Sequence, residues 1–302
     1  MIDFTKFKSV VSLISYYNTN EKCLQAIAAT RWPNQNVICP YCGMHSCSSR
    51  KDGRYRCHSC GKNFSVLVGT IFENTKLPMI KWFIALFLNS SHKKGVSSIQ
   101  LSKDIEVTQK TAWFMLAKIR ALYEPIKSKL QGEIEVDEAY IGGKEKWKHN
   151  SKKAEAAIGR STKTKTPVFG LLERNGRLIV KVVKNTMKNT LFPIIQEYVK
   201  KGSVIYSDEY SIYRGLSGLG YFHNSVFHKQ KKYVVGDSHT NSIEGFWGHL
   251  KRMIYGTYHS VSPKWLHMYV NEQVFRWNTR HLSEEARLNI VFKHACEFVN
   301  AQ

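Results

Sequence analysis

Negative charge is scarce in this chain: 23 Asp and Glu stand against 45 Lys and Arg over 302 residues, a formal net charge of +22. That excludes an ordinary acidic metabolic enzyme. Self-repulsion on this scale disfavours a compact state unless a polyanion offsets it, and nucleic acid is the commonest polyanion in cells. Long apolar runs are missing too. The best candidate, Met79 to Leu88, is interrupted by Lys81 and falls short of the roughly 18 residues a spanning helix needs, so no membrane partner is expected. The N-terminus, MIDFTKFKSV, lacks the charged start, apolar run and small-residue cleavage site of a secretory signal, which makes the cytoplasm the expected location. Proline is sparse, at 7, while 43% of the residues are hydrophobic and 12% aromatic. Such a composition buries a sizeable core, and the length suggests at least two folding units.

In a reducing compartment the 7 cysteines are expected as ligands or free thiols, not disulfides. Cys39-Pro-Tyr-Cys42 and Cys57-His-Ser-Cys60 are two knuckles separated by 14 residues, each followed by a glycine, Gly43 or Gly61. This is zinc-ribbon spacing. Each knuckle offers two thiolates, and two knuckles close a tetrahedral shell with no open position, so the zinc is structural. Cys47 and His58 lie inside the module as substitute ligands, whereas Cys23 and Cys296 read as buried small hydrophobes. Between the knuckles, Asp52-Gly53 marks a hairpin turn. Its arms carry Arg54 and Arg56, suited to phosphate contact, although ribbons also serve as protein-protein modules.

From Pro78 onward, Ile80, Phe83, Ile84, Phe87 and Leu88 repeat at helical spacing. A second helix leads through a short turn to a third over Gln109 to Leu122, with Thr108 as N-cap. This is the pattern of a helix-turn-helix, with Lys110 and Arg120 as candidate DNA contacts; a packed helical hairpin is the competing reading. Beyond it the pattern changes. Glu133 to Tyr140 alternates as a strand, with Ile134 and Val136 on one face and Glu133, Glu135 and Asp137 on the other. Val168 to Glu173 and Arg177 to Val183 flank Asn175-Gly176, a hairpin signal. A helix over Thr190 to Lys200 capped by Gly202, a strand over Ser203 to Asp208 and a helix over Asn241 to Met253 complete a mixed α/β order suited to a ribonuclease-H-like core.

Asp137 is expected to end the first strand, Asp208 a later one, and Glu244 sits on the following helix. Three carboxylates from separate elements can hold hard divalent cations side by side. The surrounding words are more specific. Ile134-Glu-Val-Asp-Glu-Ala-Tyr-Ile-Gly-Gly-Lys144, Lys165-Thr-Pro-Val-Phe-Gly170, Tyr206-Ser-Asp-Glu-Tyr210 and His239-Thr-Asn-Ser-Ile-Glu-Gly-Phe-Trp-Gly-His-Leu-Lys-Arg252 resemble bacterial insertion-sequence DDE transposases with an N-terminal zinc ribbon, the ISXO2-like group. The resemblance spans most of the chain, as far as Asn278. It implies a ribonuclease-H-like core whose acidic triad, here Asp137, Asp208 and Glu244, binds two Mg²⁺ (or Mn²⁺) ions. It implies cleavage of DNA at the element's ends and joining of the freed 3′-hydroxyl to a target. Lys251, two helical turns after Glu244, and Arg252 become DNA contacts by the same carry-over. Some members use Asn as the third residue, so Asn241, one turn before Glu244, is the alternative; Asn241 and Glu244 also fit a helix-capping box.

Among the neighbours, Glu135 shares Asp137's face and is placed to tune its charge, while Glu138 and Glu209 point away. His223, His228, His239 and His249 are left unassigned. The basic, Gly/Ser/Thr-rich stretch between Lys144 and Lys165 reads as an arm that orders on DNA, with Trp147 placed for stacking on a base or for packing. The expected organisation is an N-terminal helical segment at 1–30, a zinc ribbon at 31–72, a helix-turn-helix-like domain at 76–128, a ribonuclease-H-like core at 131–281 and a helical tail at 282–302. Strand transfer joins two DNA ends, so a homo-oligomer on terminal-repeat and target DNA follows from the mechanism. The alternatives are a DNA-binding regulator with an inert core and a structure-selective nuclease on the same fold.

Overall fold

The computed structural model describes residues 4–123, 128–143, 165–208, 211–213, 215–225 and 241–297, with the backbone alone at Thr5, Ser211 and Asn241. Glu209, Trp147, His228, His239 and the basic stretch from Lys144 to Thr164 lie outside the described residues. In chain order the elements are α1 (Val10–Tyr16), α2 (Asn20–Arg31), β1 (Cys47–Ser49), β2 (Tyr55–Cys57), β3 (Asn63–Phe64), α3 (Met79–Ser91), α4 (Ser98–Asp104) and α5 (Gln109–Ala121). There follow β4 (Glu133–Ile141), β5 (Thr166–Glu173), β6 (Leu178–Val182), α6 (Lys188–Tyr198), β7 (Val204–Ser207), β8 (Phe222–Ser225), α7 (Asn241–Met253), α8 (Leu266–Asn278) and α9 (Glu284–Cys296). They gather into two compact units, 1–122 with 281–302, and 123–280.

In the first unit the helix starts follow local chemistry. Ser9, Thr19, Ser97, Thr108 and Ser283 each accept a hydrogen bond from the amide three residues on, satisfying donors that have no partner within the helix. Apolar α3 is the central element: Met79, Trp82, Phe83, Ala85 and Leu86 are all buried. The expected C-terminal tail belongs here. Phe292 of α9 packs against Phe4 and Phe83 at centroid distances of 4.7 and 5.0 Å, and the Asn289 side chain accepts from the Phe4 amide at 2.9 Å. The short antiparallel sheet β1-β2-β3 rests on Trp32, Tyr55 and Phe64, whose rings meet at 4.9 to 6.3 Å.

The second unit is a five-stranded sheet in the order β6-β5-β4-β7-β8. Strands β4, β5 and β6 form an antiparallel meander, while β7 runs parallel to β4 and β8 parallel to β7. The period of two sends Ile134, Val136, Phe169 and Leu171 to the face covered by α6, and Ala139, Ile141, Val168 and Leu172 to the face covered by α7 and α8. Several boundaries differ from the sequence reading. Helix α6 ends at Tyr198 without help from Gly202, because the Leu130 amide takes the Tyr198 carbonyl and the Lys200 amide takes the Leu130 carbonyl. Asp137 does not end its strand, which runs four residues further to Ile141.

Candidate functional site

Asp137 sits mid-strand, but it lies beyond the part of β4 that pairs with β7. That parallel pairing ends with Glu135 beside Tyr206, so two residues further the chain directions carry Asp137 and Asp208 side by side. The third carboxylate arrives from the covering helix. Trp247 of α7 donates its Nε1–H to Asp137 Oδ2 at 3.0 Å, and Glu244 lies one turn earlier on the same helical face. Asp137 is partly buried, while Glu244 is exposed. The Asp137 carboxyl is pushed up to about 6, first by burial and then by the negative charges of Asp208 and Glu244, against the lowering effect of the Glu138 amide and the Trp247 indole. Asp137, repelled by two further carboxylates with hard oxygen donors, suits a divalent cation, which would offset that repulsion.

The approach of Trp247 depends on a residue with no side chain. Gly170 of β5 is the register partner of Asp137, and a Cβ there would lie 2.8 Å from the Trp247 ring and 2.9 Å from the Ile243 side chain. Gly170→Ala is therefore expected to lower the stability of the chain by about 1–3 kcal/mol through overpacking, measured as a shift of the urea midpoint. An unchanged midpoint would show that α7 can lift off the sheet at no cost.

Around the three acids lies a set of buried polar contacts that sequence reasoning did not reach. Glu135, fully buried, accepts the Ile243 amide at 3.0 Å and the Arg174 Nε at 3.4 Å. Arg174 also pairs with Glu133 at 2.8 Å and stacks on the Tyr206 ring at 4.0 Å. On the opposite face, the Tyr213 hydroxyl donates to Glu138, and Ser207 hydrogen-bonds His223 Nε2 at 2.9 Å, where burial lowers the imidazole's proton affinity. Strand alternation puts Glu135 on Asp137's face; only the long-range fold reveals that it accepts from the Ile243 amide and from Arg174.

The first unit holds the other cluster. The sulfurs of Cys39, Cys42, Cys57 and Cys60 all lie within 4.8 Å of one another. Each knuckle turns at a left-handed glycine, Gly43 at φ 74° and Gly61 at φ 70°, whose amides return to the Cys39 and Cys57 carbonyls at 2.9 Å. The Cys57 thiol is held down at about 6, chiefly by the Cys60 amide together with the Cys42 thiol and the Ser59 amide. Against the Met44 amide, burial and the hydrogen bond to Cys57 push the partner thiol of Cys42 up to about 12, so the thiols share their protons in the absence of a cation. Cys47 and His58 are not part of the cluster: Cys47 Sγ faces the Met44 carbonyl at 3.7 Å, and His58 hydrogen-bonds Ser48 at 2.9 Å.

Residues 18–63 match the transposase zinc-ribbon domain and residues 129–278 the ISXO2-like transposase domain. The chain belongs to the ISXO2-like transposase family. The four-thiol cluster falls within that ribbon and fits a structural zinc ion. Among curated relatives, an uncharacterized protein in transposable element ISH50 of Halobacterium salinarum is 29% identical over 76% of this chain and 82% of its own length. An uncharacterized transposase-like protein of Haemophilus influenzae is 28% identical over 34% of this chain and 83% of its own. A solved structure, a simian T-cell lymphotropic virus intasome in complex with PP2A regulatory subunit B56 gamma, aligns with TM-score 0.33 and 12% identity. The alignment covers 62% of this chain and 66% of that one, just under two thirds. Among the described residues no helix is long and apolar enough to cross a membrane.

The candidate DNA contacts separate into two groups. Arg54, Arg56, Lys110, Lys251 and Arg252 are exposed. Arg120 is not: at 3% exposure it lies on the inner face of α5 with Leu116 and Ile119, so the expectation that it reaches DNA is withdrawn. Helical periodicity places a residue four after Leu116 on the buried stripe whatever its charge.

Proposed function

We propose that this chain is a transposase that binds the ends of its own insertion sequence, cuts the DNA there and transfers the freed strand to a target. The observation that carries this reading is the electrostatic meeting of Asp137, Asp208 and Glu244, brought from three separate elements to one place. On this reading the five-stranded sheet with its two covered faces is a ribonuclease-H-like core, and α4 and α5 are a helix-turn-helix presenting Lys110. The three carboxylates would hold two Mg²⁺ or Mn²⁺ ions, which activate a water or 3′-hydroxyl and stabilise the leaving oxygen. Trp247 fixes which oxygen of Asp137 faces the site. Lys251 and Arg252 bind phosphates further along α7, with Arg54 and Arg56 doing so from the ribbon. Joining two ends calls for a homo-oligomer on paired end DNA, working in the cytoplasm where its DNA lies.

The test is a cleavage and strand-transfer assay on DNA flanking the gene, comparing wild type with Asp137→Ala, Asp208→Ala, Glu244→Ala and Asn241→Ala. Loss with the first three supports the triad. Loss with Asn241→Ala and survival of Glu244→Ala moves the third ligand one turn back. A wild type that binds the ends and never cuts them makes the chain a regulator. The metal requirement carries its own signature: below about pH 6 a proton occupies Asp137 and competes with the cation. The Mn²⁺ concentration for half-maximal cleavage should then rise by about tenfold per unit as pH falls below 6, and level off above it. A requirement that stays flat from pH 5 to 8 would remove Asp137 from the metal site.

A further inference from the structure

The buried carboxylate of Glu135 has no role in the triad, and its setting is unusual. An ion buried in a sheet is often replaceable by an apolar residue at no loss of stability, so its partners are the place to look for a purpose. Two contacts converge on it. One Glu135 oxygen takes the Ile243 amide at 3.0 Å, and Ile243 immediately precedes Glu244 in the first turn of α7. That amide has no acceptor within the helix, and Ile243 is fully buried, so Glu135 supplies the cap from another element. The other oxygen takes Arg174, whose guanidinium lies 4.0 Å over the ring of Tyr206, two residues before Asp208. Glu135 itself is two residues before Asp137, on the same face of β4.

We propose that Glu135 is a positioning residue that assembles the active site: with Arg174 it ties β4, β7 and α7 together at points one or two residues before each of the three acids. The proposal rests on the reading of Asp137, Asp208 and Glu244 as the metal-holding triad. In this arrangement Glu135 never touches metal or DNA. It sets the height and rotation of α7 on the sheet, and Glu244 reaches the two aspartates as a consequence. A glutamine can do part of this work, since its amide oxygen still accepts the Ile243 amide although its NH2 group then meets the Arg174 donor; an alanine can do neither.

The experiment uses the full chain, a duplex carrying the DNA end that flanks the gene, and Mn²⁺. Wild type, Glu135→Ala, Glu135→Gln and Asp137→Asn are compared for end binding, for single-turnover cleavage at saturating DNA, and for Mn²⁺ binding by thermal shift. Glu135→Ala should lose about a hundredfold in cleavage rate, the scale of a small misplacement of reacting groups, with DNA affinity within about threefold of wild type. Glu135→Gln should recover to within about tenfold of wild type and keep its Mn²⁺-induced shift. A folded Glu135→Gln that keeps the Mn²⁺ shift but cuts as poorly as Glu135→Ala supports the proposal and assigns the tie to the Arg174 pair, whereas one that loses the shift as Asp137→Asn does would overturn it by making the charge itself a ligand. So would a Glu135→Ala that cuts at the wild-type rate, or one whose cleavage falls only in step with DNA binding. Should Glu135→Ala fail to fold, the glutamine variant decides through its Mn²⁺ shift. Failure of the underlying triad reading is visible separately, as retained cleavage in Asp137→Asn.

Discussion

Asp137→Asn is expected to abolish DNA cleavage while making the folded chain more stable at neutral pH. The two effects have one cause. Asp137 is partly buried between two other carboxylates, and its carboxyl is displaced from the ordinary 3.8 to about 6. Ionising it in the metal-free protein therefore costs about 1–3 kcal/mol relative to the unfolded chain. Because the folded-state value is the higher one, the native protein retains a proton between about pH 4 and 6 that the unfolded chain has lost. Wild-type stability thus falls as pH rises through that window and stays at the lower level above it. Asparagine has nothing to ionise and can still accept the Trp247 indole proton, so its advantage develops over the same window and is complete at pH 7. Catalysis moves the other way. Losing an anionic metal ligand forfeits several kcal/mol of transition-state stabilisation, on the order of a thousandfold in rate. Urea denaturation at pH 4 and pH 7 without added metal, paired with single-turnover cleavage, checks both. A variant destabilised at pH 7 would mean that the charge on Asp137 is already compensated in the folded protein, and retained cleavage would take Asp137 out of the chemistry.

Removing zinc is expected to have the second large effect, confined to one region. The ribbon sheet is a few short strands, and below its aromatic cluster of Trp32, Tyr55 and Phe64 the four thiolates supply most of what holds it closed. Structural zinc contributes on the order of 10 kcal/mol to such modules, so binding and folding are one event. A strong chelator, or Cys57→Ser, should abolish hydrogen-exchange protection over residues 47–64 and weaken end-DNA binding by at least about tenfold. The five-stranded unit should stay protected. Metal analysis of the purified protein should find zinc in proportion to chain. A ribbon that keeps its protection in chelator would mean that the aromatic cluster suffices without metal.

The parts legible in the sequence are those whose cause is local. The knuckle spacing, the Asp52-Gly53 and Asn175-Gly176 turns, the N-cap at Thr108 and the bounds of α7 all follow from a handful of neighbouring residues, and the fold agrees with them. Strand parity was also legible: Ile134 and Val136 face one core, and Asp137 faces α7. What escaped is set at long range. Leu130 ends α6 by pairing across the fold, and no periodicity within α6 announces it. Arg120 is buried because its helix face is buried, which outweighs its charge as a signal. Glu135 looks like any polar residue of an alternating strand until α7 is seen lying over it. The hint in the sequence was strand parity, which puts Glu135 on the same face as Asp137.

The packing of α9 on α3 bears on how the chain is made. Helices α1 to α5 of the first unit leave the ribosome early, yet Phe292 of α9, which fills the space between Phe4 and Phe83, is synthesised some 200 residues after α3. At about 5–20 residues per second, α3 waits for roughly ten seconds or longer with that side unfilled. The sheet unit, contiguous between the two halves, can complete itself during that interval. The ribbon-bearing unit is thus the last part of the protein to close. A premature stop shortly after Arg280 would spare the strands that carry Asp137 and Asp208 and instead leave an apolar surface on the unit that was translated first.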